Sequence, residues 1–449
     1  MLRRPRRCRL GPALGIVVAF GLCERSAAAH PHLQAVGESS LGYTDNAQAS
    51  ASNGGSGART QSLFWMLSPG VVAALAQPRY LQRLAYHYEY DLYFNSGASS
   101  GSSHRLDYRG FFELSRRINL VLGGNATQSD RFSKVAFAAP GADTVGAVPT
   151  GTGSYLAAAA DEALAFDLAE GWRSWQSGSF VLQRPLFGTE APHSTGVAAR
   201  WGIERTFFED AVGVEARGDY TWVTHTVAVD STPLANQRQA SAGGVALWRH
   251  DWGRYLTSSA EAGAMRVQRL STERGFWTPV GAATLAYATE DGEAEAGYAH
   301  TITTNALLGQ TLLVDDFRLR GTVPLTKKGE LGLAGTLGYQ RGRLLDEYAE
   351  LATRVSVMLA DVSLDWQATK LLALGVRYQH IRQKSGASAP PLPVSFVQNN
   401  ILVGATFRFP PEKDMPRAYR SPRRVDRSDE LREGMQPAAQ GPRGPADTR

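Results

Sequence analysis

Residues 84–94 read LAYHYEYDLYF, and two kinds of residue alternate there without a slip. Leu84, Tyr86, Tyr88, Tyr90, Leu92 and Phe94 hold one parity, while Ala85, His87, Glu89, Asp91 and Tyr93 hold the other. A period of two belongs to a β-strand whose faces meet different surroundings. Either the aromatics pack on a protein core with the charges in water, or they face lipid and the charges line an enclosed space.

The alternation recurs to Phe409 and predicts strands at about 31–43, 62–75, 80–95, 104–114, 118–130, 154–168, 172–183, 195–208 and 212–224. It continues at about 239–250, 255–267, 276–289, 293–303, 311–325, 331–341, 352–367, 371–383 and 397–409. That is eighteen strands, with sixteen the alternative count. Tight turns such as Gln77-Pro78, Ala169-Glu170-Gly171 and Glu290-Asp291-Gly292 alternate with mostly longer loops such as 44–61, 131–153 and 384–396. Eight short turns and nine longer loops suit antiparallel strands with both chain ends on the short-turn side. Bacterial outer-membrane barrels have this asymmetry, their short turns being periplasmic.

Strand length agrees. Eleven to fourteen residues at ~3.3 Å each, tilted by about 45°, rise roughly 26–33 Å, enough for the apolar band of an outer membrane. Strands of soluble sandwiches average about five or six residues. Leu106, Tyr108, Gly110, Phe112 and Leu114 oppose Arg105, Asp107, Arg109 and Glu113; Val212, Val214 and Tyr220 oppose Glu215, Arg217 and Asp219. One face is apolar with Tyr and Trp toward its ends, as an aromatic belt requires. A soluble propeller would show a repeat of about 40–50 residues, and none is found. Two strands are weakly patterned: SYLAAAADEALAF is small on both faces, and 353–359 has an ambiguous register that suggests a bulge.

The chain opens MLRRPRRCRLGPALGIVVAFGLCERSAAAH: a basic start, an apolar stretch and the small residues Ala27-Ala28-Ala29. This predicts a secretory signal peptide over 1–29, too short to span a bilayer as a helix. Leu22 before Cys23 is bulky where lipoprotein processing takes a small residue. The leader carries six Arg and one Glu, a net of +5, and the whole chain is also +5, so the processed chain is formally neutral. No argument for nucleic-acid binding survives. Cys8 and Cys23 leave with the leader, which removes disulfide and thiolate chemistry. The barrel is then expected over 30–410. The Arg-, Pro- and Gly-rich 411–449 reads as a disordered periplasmic tail, its cluster Arg417, Arg420, Arg423, Arg424 and Arg427 available to an acidic polymer or a periplasmic protein.

Candidate chemistry is sparse. His87, Glu89 and Asp91 are ligand-like, but on a strand they step about 6.6–7 Å apart along one face, too far for all three to share one metal ion. GASSG at 97–101, with His104 nearby, matches a nucleophile elbow, yet that motif acts only between a strand and a helix. The other histidines, His193, His225, His250, His300 and His380 among them, are scattered. No catalytic residue, metal site or cofactor is expected.

The last strand reads NNILVGATFRFP. Gly404 with Phe407 and Phe409 resembles the β-signal by which barrel-assembly machinery recognises outer-membrane strands, a partial match because Leu402 sits where a polar residue is preferred. The first strand and loop, AVGESSLGYTDNAQAS, with Tyr43-Thr44-Asp45-Asn46 at the strand's end, and LLALGVRYQH later, resemble outer-membrane β-barrels of exopolysaccharide and exosortase-type gene clusters. They also resemble porin-like partners of periplasmic polysaccharide-export proteins. The resemblance implies an outer-membrane exit for a secreted polymer and supplies no catalytic residues. The expected pore lining is His87, Glu89, Asp91, Arg105, Asp107, Arg109, Arg217, Asp219, Asp316, Arg318, Arg320 and Arg377. Mixed signs predict weak charge selectivity. A passive polysaccharide channel leads; a general diffusion porin and a non-conducting surface-binding barrel are the alternatives. Loop 131–153 is expected to separate them, by folding inward or projecting.

Overall fold

A computed structural model describes residues 32–47, 61–77, 79–95, 100–131, 152–186, 193–224, 228–229, 232–233, 237–270, 275–289, 291–305, 310–326, 329–344, 354–385 and 395–411. The expected leader 1–29, nearly all of loop 131–153, Ser99 and its neighbours, and the tail beyond Pro411 lie outside them.

The strands are β1 (His32–Thr44), β2 (Ser62–Gln77), β3 (Tyr80–Tyr93), β4 (Gly101–Ser115), β5 (Ile118–Arg131), β6 (Thr152–Ala169) and β7 (Trp172–Pro185). Then come β8 (His193–Phe207), β9 (Asp210–Thr224), the short β10 (Ala228–Val229) and β11 (Thr232–Pro233), β12 (Gln237–Trp252) and β13 (Leu256–Arg269). The chain continues through β14 (Gly275–Thr289), β15 (Gly292–Asn305), β16 (Gln310–Pro324), β17 (Leu331–Leu344), β18 (Arg354–Gln367), β19 (Leu372–Ser385) and β20 (Phe396–Phe409). All but β10 and β11 form one 18-stranded antiparallel sheet in which each strand pairs with its chain neighbour. The sheet closes where β20 pairs with β1, Ala35 opposite Phe409 and Thr44 opposite Asn400. Closure leaves no edge strand, the condition for a sheet to sit in lipid. The eighteen-strand expectation holds, and the β10–β11 hairpin is an unanticipated addition to one loop.

Residues opposite one another in an antiparallel pair share a face, so parity propagates around the ring. One face holds the exposed apolar side chains: Val71, Val214, Leu319, Val362, Val376 and Val403 at mid-height. Toward the short-turn rim it carries Trp172, Trp248, Trp252, Tyr287, Trp366 and Phe407; toward the long-loop rim it carries Tyr43, Trp65, Tyr90, Trp277, Tyr298 and Tyr339. These are the two girdles of a membrane barrel, so this convex face is the lipid face. The opposite face is concave, and its side chains crowd one another: Val245, Met265 and Val280 form one buried cluster, and Ile381 and Phe396 another.

The pairing corrects one expectation. β18 runs in unbroken register with both neighbours, from Arg343↔Arg354 to Leu331↔Trp366 and from Val355↔Ser385 to Gln367↔Ala373, so 354–359, the described part of that stretch, carries no bulge. Register shifts fall instead between Glu113 and Ser115, Ser129 and Arg131, and Asp167 and Ala169, at strand ends beside turns or loops. Strand ends are where an extra residue disturbs the fewest ladder bonds.

Candidate functional site: the barrel interior

Each residue of the expected lining lies on the concave face, by the same parity that puts the girdle tryptophans outside. The structure does not gather them into one site. They fall into groups around the wall, and most are matched by a charge of opposite sign.

On β4, Arg105 Nε donates to Asp107 at 2.7 Å, and the Arg105 side chain keeps 44 % exposure although it points inward. His87 lies opposite Gly70 and Arg105, Glu89 opposite Ser103, and Asp91 opposite Gly101. The three acids and bases of β3 thus form a row up the wall, as their spacing requires. Arg109 faces Arg83 across the β3–β4 pair.

The densest network spans β7 to β13. Arg217 on β9 donates Nη1 and Nη2 to the two carboxylate oxygens of Glu261 on β13, at 2.9 and 2.6 Å, passing over β12 where Gly243 stands opposite it. Its Nε donates to Glu215, whose second oxygen accepts from the Trp175 indole at 3.1 Å. A planar guanidinium suits two carboxylates because its donors fork in fixed directions. Trp175 lies flat over Gly202, where any Cβ would collide with its ring. Asp219, two residues on, accepts the Ser241 hydroxyl.

Farther round, Arg320 donates to Glu295 at 2.7 Å and Arg318 pairs with Asp316 at 2.9 Å. Arg377 on β19 holds Asp361 on β18, and the chain extends through Gln379 to Asn400 on β20. The residues that sequence reasoning left out of the lining are these partners: Trp175, Glu261, Glu295 and Asp361. Period-two parity on β7, β13, β15 and β18 would have placed them inside. Tyr93, a lumen-parity tyrosine, stacks on Phe64 with ring centroids 5.2 Å apart.

Three histidines called scattered share one arrangement on the lipid face. Tyr298 and His300 both bond Asp315; Tyr378 and His380 both bond Asn399; Trp248 and His250 both bond Asp210. In each, an aromatic-x-His pair clamps a cross-strand acceptor near a rim, which gives the ring donors the partners they need at a membrane boundary. His104, near the would-be elbow, also faces outward, bonded to the Tyr86 hydroxyl at 2.9 Å; residues 97–99 of that motif lie outside the described residues.

The residues of the expected assembly signal sit at the seam. Gly404 faces inward against Ser40 and the Ser39 carbonyl, leaving no space for a Cβ, while Phe407 and Phe409 project outward at the turn rim.

A closed ring of strands with an apolar, twice-girdled exterior and an ion-paired interior defines a membrane-spanning β-barrel of porin-like build. No family model matches the chain, and no curated protein matches it in sequence. Among solved structures, it is similar to the outer membrane protein OpdK of Pseudomonas aeruginosa, with 11 % identity and a TM-score of 0.41 over 84 % of this chain and 99 % of that one. It is similar to OccK9 (OpdG) of the same organism, with 13 % identity and a TM-score of 0.44 over 84 % and 98 %. The FrpB iron transporter from Neisseria meningitidis shows 7 % identity and a TM-score of 0.46 over 85 % and 82 %.

Proposed function

We propose that the chain is an integral outer-membrane channel that conducts passively and makes or breaks no bond. Its cargo on this reading is a secreted polysaccharide, delivered by a periplasmic export apparatus at the short-turn rim and released at the long-loop rim. Outer-membrane barrels commonly turn their longer loops outward, which sets this direction. Residues 411–449 would then trail into the periplasm.

The observation that carries the proposal is the pairing of charge along the wall. Arg320 with Glu295 and Arg377 with Asp361 each cancel across strands, and Arg217 is shared between Glu261 across β12 and Glu215 on its own strand. The lining is therefore polar and hydrated, yet among the described residues it has no single-sign ladder to bind or repel an ion. Such a wall suits a neutral, hydroxyl-rich solute, which needs hydrogen-bonding surface and meets no charge barrier. Barrels of about sixteen to eighteen strands enclose an aqueous channel.

Conductance of the purified protein in planar bilayers tests this, with neutral oligosaccharides of increasing length added as blockers. Ohmic conductance, low ion selectivity and block that persists to long chains are expected. Block by short sugars alone would favour a general diffusion porin, and silence in the bilayer would leave a non-conducting barrel.

A further inference from the structure

The lipid face of the long-loop rim is not uniform. On β17, Arg341 and Arg343 point outward and are exposed; Arg354 on β18 does the same, and so do Arg382 and Lys384 on β19. These three strands are adjacent, and the five cations fall within a patch about 10 Å wide across the strands and about 13 Å along them. Arg343 stands directly opposite Arg354, an arrangement of like charges that costs stability in a sheet. The outward positions of β17, β18 and β19 hold no Asp or Glu among the described residues. Among the described residues, the nearest outward carboxylate, Asp315 opposite Arg341, is held by Tyr298 and His300. Among the described residues, no side-chain hydrogen bond or ion pair holds Arg343, Arg354, Arg382 or Lys384. Along each strand the cations are followed by Tyr339 on β17, Met358 on β18 and His380 and Tyr378 on β19, and then by the aliphatic Leu337, Val362 and Val376.

We infer that this patch binds the phosphorylated headgroup of an outer-leaflet lipid, with the acyl chains running down the aliphatic strip beneath it. The inference rests on the proposed outer-membrane orientation, with the long loops outside. Cations placed over aromatics and then aliphatics match, layer for layer, a lipid that carries phosphate at its head. Guanidinium groups take phosphate in the forked geometry that makes Arg the usual residue for it. A phosphate between Arg343 and Arg354 turns their mutual repulsion into two attractive contacts.

The test uses the full chain in detergent and native mass spectrometry with four probes: diphosphoryl lipid A, monophosphoryl lipid A, phosphatidylethanolamine and inorganic phosphate. Wild type is expected to hold diphosphoryl lipid A at least tenfold more tightly than the other lipids. The triple variant R343Q/R354Q/K384Q is expected to lose at least tenfold of that affinity; if it does not fold, R341Q/R382Q takes its place. Equal affinity for all lipids overturns the inference, as does unchanged binding by a folded variant. Saturation by inorganic phosphate alone would mean a free-anion site and also overturns it. Bilayer conductance on the same preparations separates the two proposals: a conducting barrel that ignores lipid A sinks only this one, and a silent barrel that binds it sinks only the channel.

Discussion

Asn399 donates its backbone N–H and its side-chain amide to the two carboxylate oxygens of Asp45, at 2.7 and 2.6 Å. Asp45 lies one residue past the end of the first strand, and Asn399 lies near the start of the last. Asn46, fully buried, adds a bond from its side chain to the Val397 carbonyl and accepts one from Gln398 at its own. The Tyr43-Thr44-Asp45-Asn46 element is therefore a latch across the seam where the barrel closes.

Breaking the latch should loosen closure. Asp45→Ala strips two donors of their charged acceptor, and hydrogen bonds to charged groups contribute about 1.5–3 kcal/mol each. The variant is expected to unfold at lower urea concentration than wild type. A double-mutant cycle with Asn399→Ala should return a coupling of about 1 kcal/mol or more; additive effects would mean that the two residues do not act together.

Charge on the convex face should block insertion, and charge on the concave face should not. Val214→Arg places a cation among mid-height aliphatics, at a cost of about 2–4 kcal/mol near the bilayer midplane. Thr221→Arg, on the other face of the same strand, is expected to fold into liposomes at nearly wild-type yield. Equal yields for both would contradict the assignment of faces.

Unbalancing the wall should create selectivity. Arg217→Gln leaves Glu215 and Glu261 facing the lumen without their shared cation. Reversal potentials under a salt gradient are expected to shift toward cation preference, severalfold in permeability ratio. Glu261→Gln should move them the opposite way.

The seam should reject volume at Gly404. Gly404→Val drives a side chain into Ser40 and the Ser39 carbonyl, and overpacking of this kind costs about 1–3 kcal/mol. Folded yield is expected to fall, and Ser40→Gly should recover part of it. Recovery would separate crowding at the seam from loss of a recognition signal.

Much of this architecture is legible in the chain because lipid imposes one rule on every strand. A residue such as Val376 must face acyl chains and Arg377 must not, so parity is written locally, and the strand positions followed from it. Partnership is not local. Asp45 and Asn399 are far apart in sequence and meet only through register. The same holds for Arg217 and Glu261, which meet over an intervening strand. The histidine clamps escaped for this reason: the Tyr298-x-His300 spacing is visible, but Asp315 is identified only once β15 and β16 are aligned. In β18, mixed small and polar residues such as Ser356 and Ala360 blurred the faces, and register with two firm neighbours resolved what composition had left ambiguous.

Because the seam joins the earliest strand to the latest, the ring has no partial form in which its backbone is content. Until β20 arrives, β1 offers an unpaired ladder to whatever is near, and a chain that stops short of Phe409 offers two. Sealing thus waits on the last strand, and anything that shepherds this polypeptide to the membrane must guard both raw margins until they meet.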